Sequence, residues 1–226
     1  MDYLSIVISL FVLLFAITIH EASHALAAYK MGDQTAYGMG RVSLNPIAHI
    51  DPIGTVLLPL VLVLIGAPAF GWAKPVMVNP YNLKNPRRDN LWISLAGPAA
   101  NMTAAAAALI SILILKLLSP GLTGFLRSFL VYKQGFPRGF YPLQGLALIL
   151  FYAVLINAYL AVFNLIPIPP LDGSGVLAGL LPDEAARRYD RIRPFGFLIV
   201  LILIYLGFLD IIIRPLQLFI FTLIFF

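Results

Sequence analysis

The chain carries His20-Glu21-Ala22-Ser23-His24 inside a run of apolar residues. On an α-helix, side chains four positions apart share a face, so the two imidazoles can converge on one divalent metal ion. Glu21 sits about 100° around the same helix. It can reach a water polarised by that metal without taking a ligand position. This is the arrangement of a general base that takes a proton from water and returns it to a leaving amine. Five residues make a short pattern, and its alternative is a set of polar residues packed between helices. The setting favours function, because ionisable side chains left unpaired inside an apolar span are costly.

Two histidines do not complete a catalytic metal site, where a third protein ligand is usual. The chain has no cysteine, which removes thiolate ligands and disulfides together. His49, Asp51, Asp172 and Asp210 are the candidates beside apolar segments. Asp172 stands out. It follows Pro167-Ile168-Pro169-Pro170, which must stop the preceding helix, and it precedes Gly173, where the backbone can turn sharply. The segment Asn164–Gly173 therefore reads as a device for presenting a carboxylate at membrane depth. The alternative for Asp172 is a cap on the short helix that follows. His49, among Asn45, Pro46 and Asp51, reads as part of an ordered loop, and Asn101 as a hydrogen-bonding residue between helices. Zinc suits a His, His, Asp set, and cobalt or iron fits the same ligands.

Elements that hold such residues must be membrane helices. Of 226 residues, 61% are hydrophobic and 11% charged, too little polar surface for a soluble domain of this size. Tyr3–Ile19, Leu91–Leu115, Tyr141–Leu171 and Pro194–Leu209 carry no charge, and each approaches or exceeds the roughly 18 to 20 residues of a spanning helix. The expected fold is one all-α integral membrane domain over residues 1–226, with about four to six transmembrane or re-entrant helices. A first span is expected from Tyr3 to about Tyr29. The only early charge is Asp2, so the run is read as a retained helix rather than a cleaved signal. Further spans are expected at Leu91 to about Leu118, at about Pro142 to Ile166, and from near Pro194, with Pro215–Phe226 too short to cross alone. The glycines and β-formers of Tyr37–Leu44, closed by Asn45-Pro46, predict a short membrane-associated β-hairpin. Trp72 and Lys74 read as interfacial anchors.

A shared metal imposes a topology. His20 and His24 lie late in the first span and Asp172 just beyond the third, so both spans must run the same way and the second the opposite way. Lys30 and Asn90 then fall on one side, which makes Ile53–Phe70 re-entrant. Lys30, Arg41, Lys74, Lys84, Arg87 and Arg88 become cytoplasmic with Arg187, Arg188, Arg191 and Arg193. Lys116, Arg127, Lys133 and Arg138 fall outside, against the usual bias. The active site is expected nearer the cytoplasmic face and the N-terminus outside.

Taken together, His20–His24, Gly97-Pro98-Ala99-Ala100-Asn101 and Asn164–Gly173 resemble the site-2 protease family of intramembrane metalloproteases, peptidase family M50. Arg41–Pro46 and Phe70–Pro80 look like further segments of its compact prokaryotic members, which lack PDZ and CBS modules. The resemblance implies zinc held by His20, His24 and Asp172, with Glu21 as base. It also implies that Asn164 holds the substrate or stabilises the oxyanion; an interhelical hydrogen bond is the competing reading of Asn164. The implied activity is endopeptidase cleavage within or next to transmembrane segments of membrane proteins, in a prokaryotic inner or plasma membrane. By β-augmentation, the Tyr37–Leu44 hairpin would offer an edge to an unwound substrate. The competing function is a transporter moving metal or protons through the same His, Glu and Asp, against which stands the lack of an inverted repeat. The formal charge of +5 sits beside apolar runs rather than in a phosphate-tracking patch, so no nucleic-acid partner is expected. The oligomeric state is not readable.

Overall fold

The computed structural model describes residues 3–58, 61, 64, 73–132 and 141–226. Its long helices are α1 (Tyr3–Lys30), α2 (Pro86–Leu118), α4 (Pro142–Asn164) and α8 (Phe208–Phe225). All four are long and apolar enough to cross a membrane. Shorter helices fill the connections: α3 (Gly121–Leu126), α5 (Asp172–Leu180), α6 (Asp183–Asp190) and α7 (Gly196–Tyr205).

Helices α1, α2 and α4 form the central bundle. Their facing positions are small: Ala16, Ala25 and Ala28 on α1, Gly97, Ala105 and Ala108 on α2, Ala147, Ala158 and Ala161 on α4 are all buried. Small side chains let backbones approach closely where lipid supplies no hydrophobic drive between helices. Side-chain contacts give the directions. His24 meets Ile93, and His20 and Ala16 meet Asn101 further along α2, so α1 and α2 are antiparallel. Asn101 also meets Asn157, while Asn90 and Ser94 lie against Gly175 just beyond α4, so α4 runs with α1. Bulky residues instead fill the far end, where Ile112, Leu126, Phe129, Leu148, Phe151, Ile224 and Phe225 form one cluster.

No strand forms among the described residues, which corrects the hairpin expected at Tyr37–Leu44. Thr35–Gly38 is a helical turn and Pro46–His49 a tight 3₁₀ turn. Turn bonds, rather than a ladder, satisfy this backbone: the N–H groups of Gly38, Met39, Gly40 and Arg41 donate to the carbonyls of Gln34, Thr35, Tyr37 and Ala36, and side chains hold its flanks. Arg41 donates to the carbonyls of Ala48 and Lys74, Asn45 accepts from the Ile47 N–H, and Asp33 accepts from the N–H and hydroxyl of Thr35. Such local bonds compete directly with strand pairing. Residues Pro52–Leu57 coil into a wide helical turn capped by Asp51. Most of the rest of the expected re-entrant run, together with Trp72, Lys133 and Arg138, lies outside the described residues.

The last span is also corrected. The apolar run from Pro194 is interrupted at Gly207, whose φ of 74° is left-handed and open mainly to glycine. α7 therefore stops after ten residues, and the spanning helix is α8, which absorbs Pro215 in its interior. Membrane helices tolerate such a proline when neighbours restore its lost contacts.

Asp33, just past α1, is wholly buried. Burial alone would raise its pKa, but bonds from Thr35, from Asn82 and from the Asn79 N–H favour the carboxylate and hold it down to about 2. Because this value lies below the unfolded one of about 3.9, the stabilisation is complete above that pH and disappears as pH falls through 2. Asp33→Asn should remove this acid-side dependence from thermal unfolding in detergent. It should also destabilise at neutral pH by about 1–3 kcal/mol, since its amide would confront the Asn79 N–H.

Candidate metal centre and catalytic cleft

Nε2 of His20 lies 2.9 Å and Nε2 of His24 3.2 Å from Oδ2 of Asp172, and the two Nε2 atoms are 3.1 Å apart. The structure thus brings together all three residues proposed from the sequence as ligands. His49, Asp51 and Asp210 are not in the group. Both imidazoles are buried within the bundle.

The outer nitrogens show what the inner ones can do. Nδ1 of His24 is 2.6 Å from the Ile93 carbonyl oxygen, which can only accept, so Nδ1 carries the proton. For His20 the same conclusion needs three helices. Asn157 donates its Nδ2 to Ala153 of its own helix, so its Oδ1 faces Asn101. Asn101 must then turn its amide nitrogen to two acceptors, Oδ1 of Asn157 at 2.7 Å and the Ala16 carbonyl at 3.0 Å. Its own Oδ1 is left for Nδ1 of His20, 2.5 Å away, and that nitrogen must donate. In the neutral rings both Nε2 atoms then present lone pairs, and they face a carboxylate oxygen. Three acceptors aimed at one point call for a cation. Tetrahedral zinc would hold such atoms about 3.4 Å apart, a few tenths of an ångström wider than seen.

Backbone features make room for this convergence. Pro98 cannot donate to Ser94 and its ring crowds that turn of α2, next to the Ile93 carbonyl that His24 uses. Gly97 faces the imidazoles: a Cβ there would collide with His24 Nε2 and lie 2.7 Å from His20 Nε2. Beyond α4, a Cβ on Gly173 would run into the backbone of Leu165 and Ile166. The chain must cross itself closely there to return Asp172 to the depth of the histidines. Tyr189 secures the turn by donating its hydroxyl to the Pro167 carbonyl at 2.9 Å.

The group opens on a cleft of about 940 Å³ that is also lined by Glu21, Asn164, Ser94 and Arg193. Ala73 and Pro75 to Val78, which form no regular helix or strand, line it as well. Asn164 donates Nδ2 to Leu160 on its own helix at 2.9 Å, rather than bridging helices. Asn101 is indeed bonded between helices, but it also orients a histidine.

Sequence reasoning passed over Asn157 and the Ile93 carbonyl, and met Gly97 only as part of a family segment, without the reason it must be glycine. Asn157 had left a trace as an amide deep in a charge-free run. Gly97 hid among other small residues, and a backbone carbonyl has no signature.

Apolar spanning helices around a His, His, Asp group with both imidazoles buried, and a neighbouring glutamate, define a membrane protein with an internal site able to hold a metal. The chain belongs to peptidase family M50, whose model matches residues 8–206. It is 34% identical over 191 residues to "Putative zinc metalloprotease YwhC" of Bacillus subtilis, covering 84% of this chain and 77% of that protein. Rip2 of Mycolicibacterium smegmatis, which bears the same description, is 32% identical over 197 residues, covering 84% of this chain and 64% of Rip2. Rip2 of Mycobacterium tuberculosis is 26% identical over 194 residues, covering 84% and 63%. No solved structure matches the chain.

Outer hydrogen bonds that orient ligands typically affect metal affinity 10- to 100-fold. Asn157→Leu should weaken metal retention by about that factor, although Asn157 touches no ligand. Gly97→Ala should weaken it at least as much by displacing both rings. Metal per chain after dialysis against graded chelator measures both.

Proposed function

We propose that this protein is a zinc-dependent intramembrane endopeptidase that cleaves peptide bonds within or next to transmembrane segments of membrane proteins. The observation that carries this reading is the convergence of three lone-pair donors, in a cleft that also holds Glu21, inside a bundle of apolar helices. His20, His24 and Asp172 would hold zinc, and Asn101, Asn157 and Ile93 would hold the imidazoles ready. Bound zinc supplies Lewis acidity toward water and the scissile carbonyl.

Glu21 does the proton chemistry. Its carboxylate takes a proton from the attacking water and delivers it to the departing amide nitrogen. Asn164 has one amide hydrogen engaged with Leu160, which leaves the second to donate to the substrate carbonyl as charge develops there. An unwound substrate would lie along the irregular segment at residues 73–78 that lines the cleft, which takes the place of the expected hairpin edge.

Lateral placement among the helices restricts substrates to chains resident in the bilayer. Orientation follows from charge. The end of the bundle nearer the site carries Arg87, Arg187, Arg188 and Arg193 and would face the cytoplasm. At the other end, Arg127 donates to the Phe225 carbonyl at 2.7 Å and Lys116 to that of Ile224. These two cations cap a helix C-terminus, which gives them a structural role at that end. Family membership favours hydrolysis over transport by the same residues.

Glu21→Gln should keep zinc near the wild-type ratio while cleavage of a transmembrane substrate in liposomes falls about 10²- to 10⁴-fold. Asp172→Ala should lose both zinc and activity. Wild-type cleavage by Glu21→Gln would remove Glu21 as the base.

A further inference from the structure

A helix in lipid satisfies its own backbone, each N–H meeting the carbonyl four residues back. To be cut it must unwind across the metal. Every peptide group released in an apolar setting is then costly until it finds a new partner. A cleft that does this work must offer polar groups that are not already committed.

Several polar side chains in the cleft are taken. His20, His24 and Asp172 share the metal position, Asn164 gives one hydrogen to Leu160, and Arg193 pairs with Asp190 at 2.9 Å. Asn90 and Ser94 also line the cleft, and among the described residues neither side chain makes a hydrogen bond. Ser94 departs from its neighbours in this. Thr18, Ser23, Thr103, Ser111 and Thr222, on α1, α2 and α8, each donate to the carbonyl four residues earlier. Nor are the two groups sealed away. Among the described residues, the buried side-chain polar atom without a partner is Nδ1 of His49 alone, so the Asn90 amide and the Ser94 hydroxyl reach open space.

Their spacing fits an extended chain. Four residues apart on α2, they share one face a turn apart. Gly175 of α5 lies against that face: a Cβ there would collide with Ser94 Oγ and stand 3.3 Å from Asn90 Nδ2. The imidazoles rest against Gly97 of the same helix. At 1.5 Å per residue, Ser94 is about 4–5 Å and Asn90 about 10 Å along the axis from Gly97. A strand advances about 3.3 Å per residue, so the two side chains stand about one and about three residues from the scissile bond. Both lie on the side toward the N-terminus of α2. An asparagine side chain carries the donor and acceptor of a peptide group, and a serine hydroxyl can act as either.

We propose, on the reading of this protein as an intramembrane endopeptidase, that Asn90 and Ser94 are substrate-binding residues whose side chains pair with the backbone of the unwound substrate beside the scissile bond. They hold the chain extended and take no part in the proton transfers. Because they meet backbone atoms, their effect is independent of substrate side chains.

An ester in place of one peptide bond removes its N–H and weakens its carbonyl as an acceptor. The test pairs synthetic transmembrane peptides, each with one ester one to three residues to either side of the scissile bond, with Asn90→Leu and Ser94→Ala in liposomes. With zinc per chain equal to wild type, each variant should lower kcat/KM for the all-amide peptide about five- to tenfold, the effect of one hydrogen bond. One ester about three residues away should cost wild type a similar factor and cost Asn90→Leu less than about twofold more. Ser94→Ala should show the same coupling to an ester about one residue away. A merely structural role would leave every ester equally costly in variant and wild type. Such additivity throughout overturns the proposal, as does wild-type kcat/KM in both variants. Ser94→Ala, which only shortens a side chain, decides the matter alone if Asn90→Leu loses zinc. If Glu21→Gln abolishes cleavage while the esters stay additive, the proteolytic reading stands and the backbone pairing falls. If wild type cleaves no transmembrane peptide, that reading fails first and the pairing with it.

Discussion

Three acceptor atoms pointed at one place inside an apolar bundle are the constraint on which this structure turns. Left alone they repel, and in lipid no water arrives to screen them. The arrangement persists only if a cation belongs between them and if every other lone pair and proton nearby is already assigned. The assignments run outward from the histidines. His24 is settled by a backbone carbonyl on α2. His20 is settled by Asn101, and Asn101 in turn by Ala16 of α1 and Asn157 of α4. One proton position on one imidazole therefore depends on three helices being in register.

That dependence explains the small residues. A polar chain from Asn157 to His20 needs helix axes close enough for amides to touch, and the alanines of α1, α2 and α4 allow it. Gly97 carries the requirement furthest, since its missing Cβ is the space the imidazoles occupy. Bulk returns where no chemistry is asked for. At the far end, phenylalanines and leucines pack together, and Lys116 and Arg127 close the last turn of α8.

Where the structure departs from expectations, local side chains or a single glycine decided the outcome. The segment around Tyr37–Leu44 has the composition of a hairpin, but turn bonds take up the N–H groups of Gly38 to Arg41 first, while Asp33, Arg41 and Asn45 pin the flanking backbone. No ladder is needed once those groups are satisfied. The apolar run after Pro194 reads as one span, yet Gly207 ends it and α8 begins one residue later. Hydropathy reports how much of a segment tolerates lipid, not where a helix breaks within it.

The sequence by itself determined that the protein lives in a membrane, that His20, Glu21 and His24 share one helix, and that Asp172 must be brought back to them. Those conclusions rest on periodicity and on the cost of burying charge, both local properties of the chain. Only the tertiary structure decided which protons the imidazoles carry, because that depends on Asn157 and Ile93, 137 and 73 positions from His20 along the chain. It also decided that Asn90 and Ser94 line the cleft with their polar atoms uncommitted. An asparagine near the start of a helix looks the same in any sequence. Its meaning comes from the neighbours that packing supplies.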